Sequence, residues 1–229
     1  GVLVGPRSAF EGHAPDLVGG GTVLFVSEEE EMWSGPPDSE EAGSPNVVGS
    51  IAMAAAAQFL ARDLGWEWIV EHERSLTAYA LAKLNEIPGL HIYGPRDASL
   101  EQDRLGVIAF NLAEVDHQLT AAVLSHEHGI GTRTGGFCAH PYLMRLFGIK
   151  PERVHELRDE VLCGDRRGMP GAVRISFGFY NTRADVDAVV QALWDINNRK
   201  WQGTYHQDER SGEYKPEERG TDPRGWFAM

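Results

Sequence analysis

The most informative stretch of this chain reads Arg133-Thr134-Gly135-Gly136-Phe137-Cys138-Ala139-His140-Pro141. It places one thiol, Cys138, shortly after a cationic side chain, Arg133. A thiol reacts as a nucleophile only in its thiolate form, and neighbouring cations favour that form. The Gly135-Gly136 pair lets the backbone bend in ways that a residue with a Cβ resists. The stretch therefore predicts a reactive cysteine on a mobile loop, although an inert cysteine between apolar neighbours is the simpler interpretation of the spacing alone.

A second informative stretch follows, Val173-Arg174-Ile175-Ser176 and then Tyr180-Asn181-Thr182. Apolar residues alternate here with Arg174 and Ser176, which predicts a strand over 171–178 with Arg174 on the face opposite the apolar side chains. A guanidinium group can bind a carboxylate through two parallel hydrogen bonds. Spacing alone would make Arg174 a surface or ion-paired residue.

Periodicity and turn signals predict the remaining elements. The apolar run at 1–5 indicates a strand, and Ser44 as N-cap with Pro45 at the first helical position indicates a helix over 46–60. Apolar residues at helical spacing predict further helices, and short apolar runs predict further strands. The helices are expected at 67–84, 115–128, 142–147, 151–162 and 183–198, and the strands at 90–93, 106–111 and 130–133.

Composition excludes several classes of partner. The chain has 229 residues and a formal net charge of −13, without a dense Lys/Arg cluster, which disfavours nucleic acid and anionic membrane surfaces. The longest apolar run, Ile51–Ala57, is far too short to span a membrane. Two cysteines without a CxxC spacing fit a reducing cytoplasm. No metal site is predicted, because the His126-Glu127-His128 run has no further ligand nearby.

Six segments in order give the chain a family resemblance. Together they resemble the class V aminotransferase family of pyridoxal-phosphate enzymes, and within it the cysteine desulfurases and selenocysteine lyases. The similarity extends over about residues 1–198. The segments are Gly19–Gly21, Glu41–Asn46, Tyr93–Pro95, Arg104–Asn111, Arg133–Pro141 and Arg174–Thr182.

The resemblance implies an α/β fold, namely the C-terminal part of a fold type I pyridoxal-phosphate enzyme. Residues 1–60 would form the end of the large cofactor domain. Residues 61–198 would form a small C-terminal α/β domain with helices packed on a mixed sheet. Residues 199–229 lie beyond the resemblance, and their aromatic content predicts a polar, aromatic-containing tail that packs on the domain or across a dimer.

The resemblance also implies roles for individual residues. Arg174 would clamp the carboxylate of the substrate, with Arg133 and Asn181 nearby. Cys138 would take sulfur from L-cysteine as a persulfide, with release of alanine. The family further implies a homodimer and a protein that accepts the sulfur. Desulfurases of this branch often carry two histidines before the cysteine, whereas here a histidine follows it, His140.

Cofactor binding is implied only in part. Gly43 and Ser44 match the family pair that reaches the phosphate of pyridoxal 5′-phosphate, and a helix N-terminus is a suitable anion site. In the family, the Schiff-base lysine lies just upstream of a segment like 1–5. The four lysines here lie elsewhere, at Lys83, Lys150, Lys200 and Lys215.

Three interpretations therefore stay open. The chain is the C-terminal portion of a cysteine desulfurase or selenocysteine lyase, or it belongs to a class V aminotransferase, epimerase or other lyase in which Cys138 is a bystander. The third interpretation is a noncatalytic partner chain or fragment, which the absent lysine and the strand-like start suggest.

Overall fold

The computed structural model describes residues 2–96 and 105–217 and divides into two compact units. The first unit ends at Trp66 and the second begins at Glu67, whereas the resemblance implies a boundary after residue 60. Arg104, which opens the fourth family segment, and the tail from 218 onwards lie outside the described residues.

The first unit contains one hairpin, in which β1 (Val23–Val26) pairs antiparallel with β2 (Glu31–Trp33). The acidic residues between the two strands are exposed, as expected of a solvated turn. The strand predicted at the start of the chain is wrong, because residues 2–6 have no regular structure. Val2, Leu3 and Val4 are exposed and pair with no described strand, and a strand forms only where a neighbour completes its ladder of hydrogen bonds.

Helix α1 (Val47–Gln58) lies within the predicted range and continues into a π-helical segment, Phe59–Leu64. The predicted N-cap, Ser44, is wrong. Asn46 caps the helix, and its Oδ1 accepts a hydrogen bond from the Gly49 amide at 2.9 Å. Asparagine serves as well as serine here because its side-chain oxygen reaches the amides of the first turn.

The surface of α1 and the segment after it is apolar and exposed. By length and composition alone, Val47–Leu64 is long and apolar enough to cross a membrane, with a mean hydropathy of 1.3, and none of it is buried. The run of seven apolar residues, Ile51–Ala57, is only a part of it. The apolar helical segment is longer than this run, because small and polar residues extend the helix on both sides. A single such helix is weak evidence for a membrane segment, since an apolar helix that another part of a protein covers passes the same test.

The second unit is built on a four-stranded sheet. Its strands are β3 (Leu90–Tyr93), β4 (Val107–Leu112), β5 (Arg133–Gly135) and β6 (Ala172–Ser176), in the order β3-β4-β6-β5. Helices pack on this sheet, as the α/β fold class requires. A mixed sheet was expected, but every pairing between described strands is antiparallel. Strands β4 and β5 run in the same direction, yet β6 lies between them, so no parallel pair forms.

The described part of the second unit contains five helices, and three of them enclose the core. They are α2 (Trp66–Leu84), α3 (His117–His128), α4 (His140–Leu146), α5 (Pro151–Leu162) and α6 (Arg183–Asn197). All five were predicted to within a few residues. Side chains of α2, α3 and α6 share one buried cluster with β3, β4 and β6, which includes Leu81, Leu124, Leu193, Phe110 and Val173.

The described part of the tail packs on the second unit. Its strands β7 (Tyr205–Gln207) and β8 (Tyr214–Pro216) form an antiparallel hairpin, and Trp201 and Tyr205 lie against the core cluster. The Glu127 carboxylate at the end of α3 anchors this segment. It accepts hydrogen bonds from the amides of Gln202 and Gly203, each at 2.9 Å, and from the Tyr205 hydroxyl at 3.0 Å. Glu127 is therefore a structural anchor.

Candidate active site

The face of the sheet opposite the core carries the candidate site. On β6, Val173 and Ile175 point into the core, and Arg174 lies on the other face as predicted. Register places Arg174 opposite Ala109 of β4 on one side and opposite Arg133 of β5 on the other. Side chains directly opposite each other on neighbouring strands share a face. The two predicted arginines are therefore neighbours.

Neither guanidinium group is neutralised within the described part of the chain. No carboxylate of residues 2–96 or 105–217 forms an ion pair with Arg174 or Arg133. The Nε of Arg174 is buried and has no hydrogen-bond partner among these residues. A buried donor without a partner costs free energy, and a substrate carboxylate would satisfy it. Two adjacent cations on one face form a site for an anion.

The cysteine loop begins where β5 ends. A hydrogen bond of 2.8 Å from the Ala139 amide to the Gly136 carbonyl closes a turn whose two central residues are Phe137 and Cys138. Both have positive φ, 51° and 59°. This left-handed conformation costs an L-residue about 1–2 kcal/mol. Cys138 is exposed and free, so the burial that the inert interpretation assumes is not observed.

The loop contacts the arginine pair through Phe137. The centre of the Arg174 guanidinium group, Cζ, lies 5.3 Å from the centroid of the Phe137 ring, a cation–π distance. Phe137 immediately precedes Cys138, so the residue next to the cysteine contacts the proposed carboxylate clamp. The structure thus brings Arg133, Arg174 and the Cys138 turn together.

His140 occupies the space that a side chain at position 136 would need. The ring of His140, the first residue of α4, lies against Gly136. A Cβ at position 136 would come within 2.5 Å of two ring atoms of His140. A larger side chain at 136 therefore requires the His140 ring to move.

A buried histidine holds β5 in place. His117 Nε2 lies 3.1 Å from the Met169 carbonyl oxygen and therefore donates to it, since a carbonyl oxygen only accepts. Its Nδ1 lies 2.7 Å from the Thr134 hydroxyl. Next to it, a Cβ on Gly171 would lie 2.6 Å from His117 Cε1 and 2.7 Å from Gly135 Cα. Close packing thus fixes the strand that carries Arg133.

Asn181 lies in the turn before α6. Its Oδ1 accepts from the Gly178 amide at 2.8 Å, and its backbone carbonyl accepts from His72 Nε2 at 2.8 Å. No contact joins Asn181 to Arg174 or Arg133 within the described ranges. Its role in substrate binding stays a prediction.

In the first unit, two of the family segments meet. The Gly43 amide donates a hydrogen bond of 2.8 Å to the Gly20 carbonyl, and Gly43 adopts a φ of 81° that a side chain would oppose. Ser44 is exposed next to this turn, and no described residue bonds its hydroxyl. A free hydroxyl on a glycine turn before a helix fits an anion such as a phosphate group. These residues are thus compatible with pyridoxal phosphate.

Sequence reasoning assigned no role to several residues of this face. Tyr93 is opposite Ala109, and its hydroxyl oxygen accepts a hydrogen bond from Asn111 Nδ2 at 3.1 Å. Burial raises the pKa of the Tyr93 hydroxyl, and the Asn111 hydrogen bond only partly opposes this. The alternation of Tyr93 and Asn111 with the buried Ile92 and Phe110 was the signal that could have identified them.

Similarity to known proteins identifies the family of the chain. The Aminotransferase class-V family matches residues 1–189, and the chain belongs to this family. Among curated proteins, the chain is 35% identical to a probable cysteine desulfurase of Staphylococcus epidermidis and 33% identical to one of Halalkalibacterium halodurans. Each alignment includes 84% of this chain and 40% of the relative.

Solved structures of cysteine desulfurases are also similar to this chain. The cysteine desulfurase CsdA from Escherichia coli matches 86% of this chain with a TM-score of 0.65 and 30% identity. A cysteine desulfurase from Thermococcus onnurineus, solved in its apo form, matches 84% with a TM-score of 0.67 and 28% identity. Both matches span 42% of the solved chain. The chain therefore covers less than half the length of these relatives.

Proposed function

We propose that this chain is the C-terminal part of a pyridoxal-phosphate-dependent cysteine desulfurase that acts on L-cysteine. The observation that carries the proposal is the contact between Arg174 and Phe137, which joins an unpaired guanidinium group to the turn that presents Cys138. A carboxylate clamp and an exposed nucleophile are the two groups that removal of sulfur from an amino acid requires of this part of the protein.

Each residue then has a defined task. Arg174 binds the substrate carboxylate in the plane of its guanidinium group, and Arg133 adds a second positive charge beside it. The Cys138 thiolate would attack the substrate sulfur, so that a sulfur–sulfur bond forms as the bond between that sulfur and the β-carbon breaks. The sulfur stays on the protein as a persulfide, and the remaining fragment takes up a proton and leaves as alanine. Asn181 supports the substrate side of the site.

The proposed phosphate site for the cofactor rests on the glycine turn at Gly43 and Ser44. Ser44 would hold the phosphate of pyridoxal 5′-phosphate through its hydroxyl, and Gly43, whose amide donates to the Gly20 carbonyl, would form the turn that presents it. When bound, this cofactor supplies an electron sink for bond cleavage at the substrate's α-carbon. The lysine that attaches it would come from outside this sequence, because none of the four lysines lies in the family context.

We also propose a homodimer in the cytoplasm that passes its sulfur to an acceptor protein. The exposed apolar side chains of α1, such as Val48 and Ile51, support a covering partner. The scarcity of cysteine supports a reducing compartment.

The test compares Cys138→Ser with Cys163→Ser, the matched control at the other exposed thiol. Both are made in the extended protein, defined as this chain preceded by whatever its gene encodes upstream of Gly1. Alanine and sulfide are measured after addition of L-cysteine. We expect Cys138→Ser to lower both products by more than about 100-fold, since the nucleophile is lost, and Cys163→Ser to change neither.

Two results would contradict the proposal. Full alanine release by Cys138→Ser would indicate a class V enzyme without a persulfide step. An upstream reading frame that lacks a Schiff-base lysine, together with no reaction on L-cysteine, would indicate a noncatalytic partner chain.

A further inference from the structure

The turn that carries Cys138 is strained, and glycine does not relieve the strain. Its central residues, Phe137 and Cys138, both occupy the left-handed region that favours glycine, while Gly135 and Gly136 precede them. Strained backbone persists only where surrounding contacts hold it, and such residues concentrate at sites that act or switch. A contact outside the backbone must therefore stabilise this turn.

That contact is the stack of the Phe137 ring on Arg174. The guanidinium carbon lies over the ring, 5.3 Å from its centroid, so the cation faces the π surface of the ring. A carboxylate binds through N–H donors in the plane of the group, and the Nε donor of Arg174 has no partner among the described residues. The ring and a bound carboxylate would therefore share one cation.

The two interactions affect each other through charge. A cation–π interaction depends on the positive charge that faces the ring. A carboxylate bound in the guanidinium plane offsets much of that charge and weakens the attraction for Phe137. Since the ring is held less tightly, the strained turn is released, and the thiol next to the ring gains freedom.

We propose that Phe137 is a positioning residue that couples occupancy of Arg174 to the position of the Cys138 thiol. Without a carboxylate, the stack holds the turn in its left-handed form. With a carboxylate on Arg174, the stack weakens and Cys138 becomes free to approach the substrate. This inference rests on the proposed function, because it needs Arg174 to be the carboxylate site.

The coupling is reciprocal, as linkage requires. If a carboxylate weakens the stack, then removal of the ring also favours the released turn. A variant without the ring should therefore show the released behaviour of the thiol at all times. This expectation separates coupling from a purely structural role of Phe137, which would change the thiol's reactivity but would not remove its response to a carboxylate.

The test measures alkylation of Cys138 by iodoacetamide in the extended protein with Cys163→Ser, so that one exposed thiol of the described part remains. L-Alanine is the probe, and ethylamine, the same molecule without its carboxylate, is the matched control. We expect L-alanine to raise the alkylation rate about two- to fivefold, the range that an exposed cation–π contact supports, and ethylamine to leave it unchanged.

The variants Phe137→Leu and Phe137→Tyr complete the experiment. Phe137→Leu keeps an apolar side chain without a π face, so the rate should be raised without ligand and should not respond to L-alanine. Phe137→Tyr keeps the ring and should restore the response. An undiminished response in Phe137→Leu, or no response in the protein with Phe137, would overturn the coupling.

Binding of L-alanine is measured separately by calorimetry, with Arg174→Gln for comparison. Normal binding without any change in alkylation overturns the coupling and leaves the proposed function standing. Binding that is equally tight in Arg174→Gln shows that Arg174 is not the carboxylate site, and it overturns the proposed assignment and the coupling together.

Discussion

Replacement of Glu127 should detach the tail hairpin from the second unit. One carboxylate accepts three hydrogen bonds, from the amides of Gln202 and Gly203 and from the Tyr205 hydroxyl. Each hydrogen bond to a charged group contributes about 1.5–3 kcal/mol. The site is partly exposed and water replaces some of these bonds, so we expect Glu127→Ala to cost about 2 kcal/mol in total.

The assay is amide hydrogen exchange, which reports local opening whatever the state of the rest of the protein. A loss of about 2 kcal/mol raises the opening equilibrium about 30-fold, and exchange in β7 and β8 should accelerate by that factor. Glu127→Gln is the matched variant, because its amide oxygen retains an acceptor without the charge, and it should show a smaller acceleration. Unchanged exchange in β7 and β8 of Glu127→Ala would refute the role of the carboxylate.

The anchor should also depend on pH in a defined direction. Partial burial opposes ionisation of Glu127, but the hydrogen bonds from Gln202, Gly203 and Tyr205 outweigh it and lower the pKa of the carboxyl group. A carboxyl group whose folded pKa is depressed stabilises the folded state above its unfolded pKa, and the contribution is lost as pH falls through the folded pKa. The difference in β7 and β8 exchange rates between the protein with Glu127 and the Glu127→Gln variant should therefore be largest at neutral pH. It should disappear in acid, where Glu127 is protonated.

Two further substitutions test the packing near the site and the capping of α1. Gly171→Ala should displace β5, because the new Cβ would lie 2.7 Å from Gly135 Cα. We expect the free energy of unfolding to fall by about 1–3 kcal/mol. The measurements are a lower Tm and faster amide exchange in β5, with little change in exchange at α1. An unshifted Tm would contradict this. Asn46→Ala should lower the stability of α1 by about 1 kcal/mol, since the Gly49 amide loses its acceptor, and Asn46→Ser should recover most of this loss. Amide exchange at Gly49 measures both effects. Equal exchange in the unsubstituted protein and both variants would exclude capping by Asn46.

The elements that sequence predicted well are those whose signal is local. Helix α2 shows a helical period of apolar residues, and β6 shows an alternation that correctly placed Arg174 opposite the core. Helix α3 ends at His128, the predicted end, and Gly129 follows it in the left-handed conformation that favours glycine. Each of these features depends on neighbours along the chain, which the sequence displays directly.

The features that sequence missed depend on distant neighbours. The run at 2–5 is as apolar as a strand, but it has no partner in the described part of the chain. The pairing of Arg133 with Arg174 follows from strand order, which places β6 between β4 and β5, and no local pattern encodes that order. The stack of Phe137 on Arg174 depends in turn on this pairing, so it was invisible before the fold was known.

The strand order places the proposed carboxylate site and the proposed nucleophile on different kinds of strand. Arg174 is on β6, which is hydrogen-bonded to a strand on each side. The Cys138 turn follows β5, which pairs on one side only among the described strands. The proposed carboxylate site thus lies on an inner strand, and the proposed nucleophile follows a strand paired on one side only among the described strands. This arrangement would let the thiol change position while the carboxylate site stays fixed.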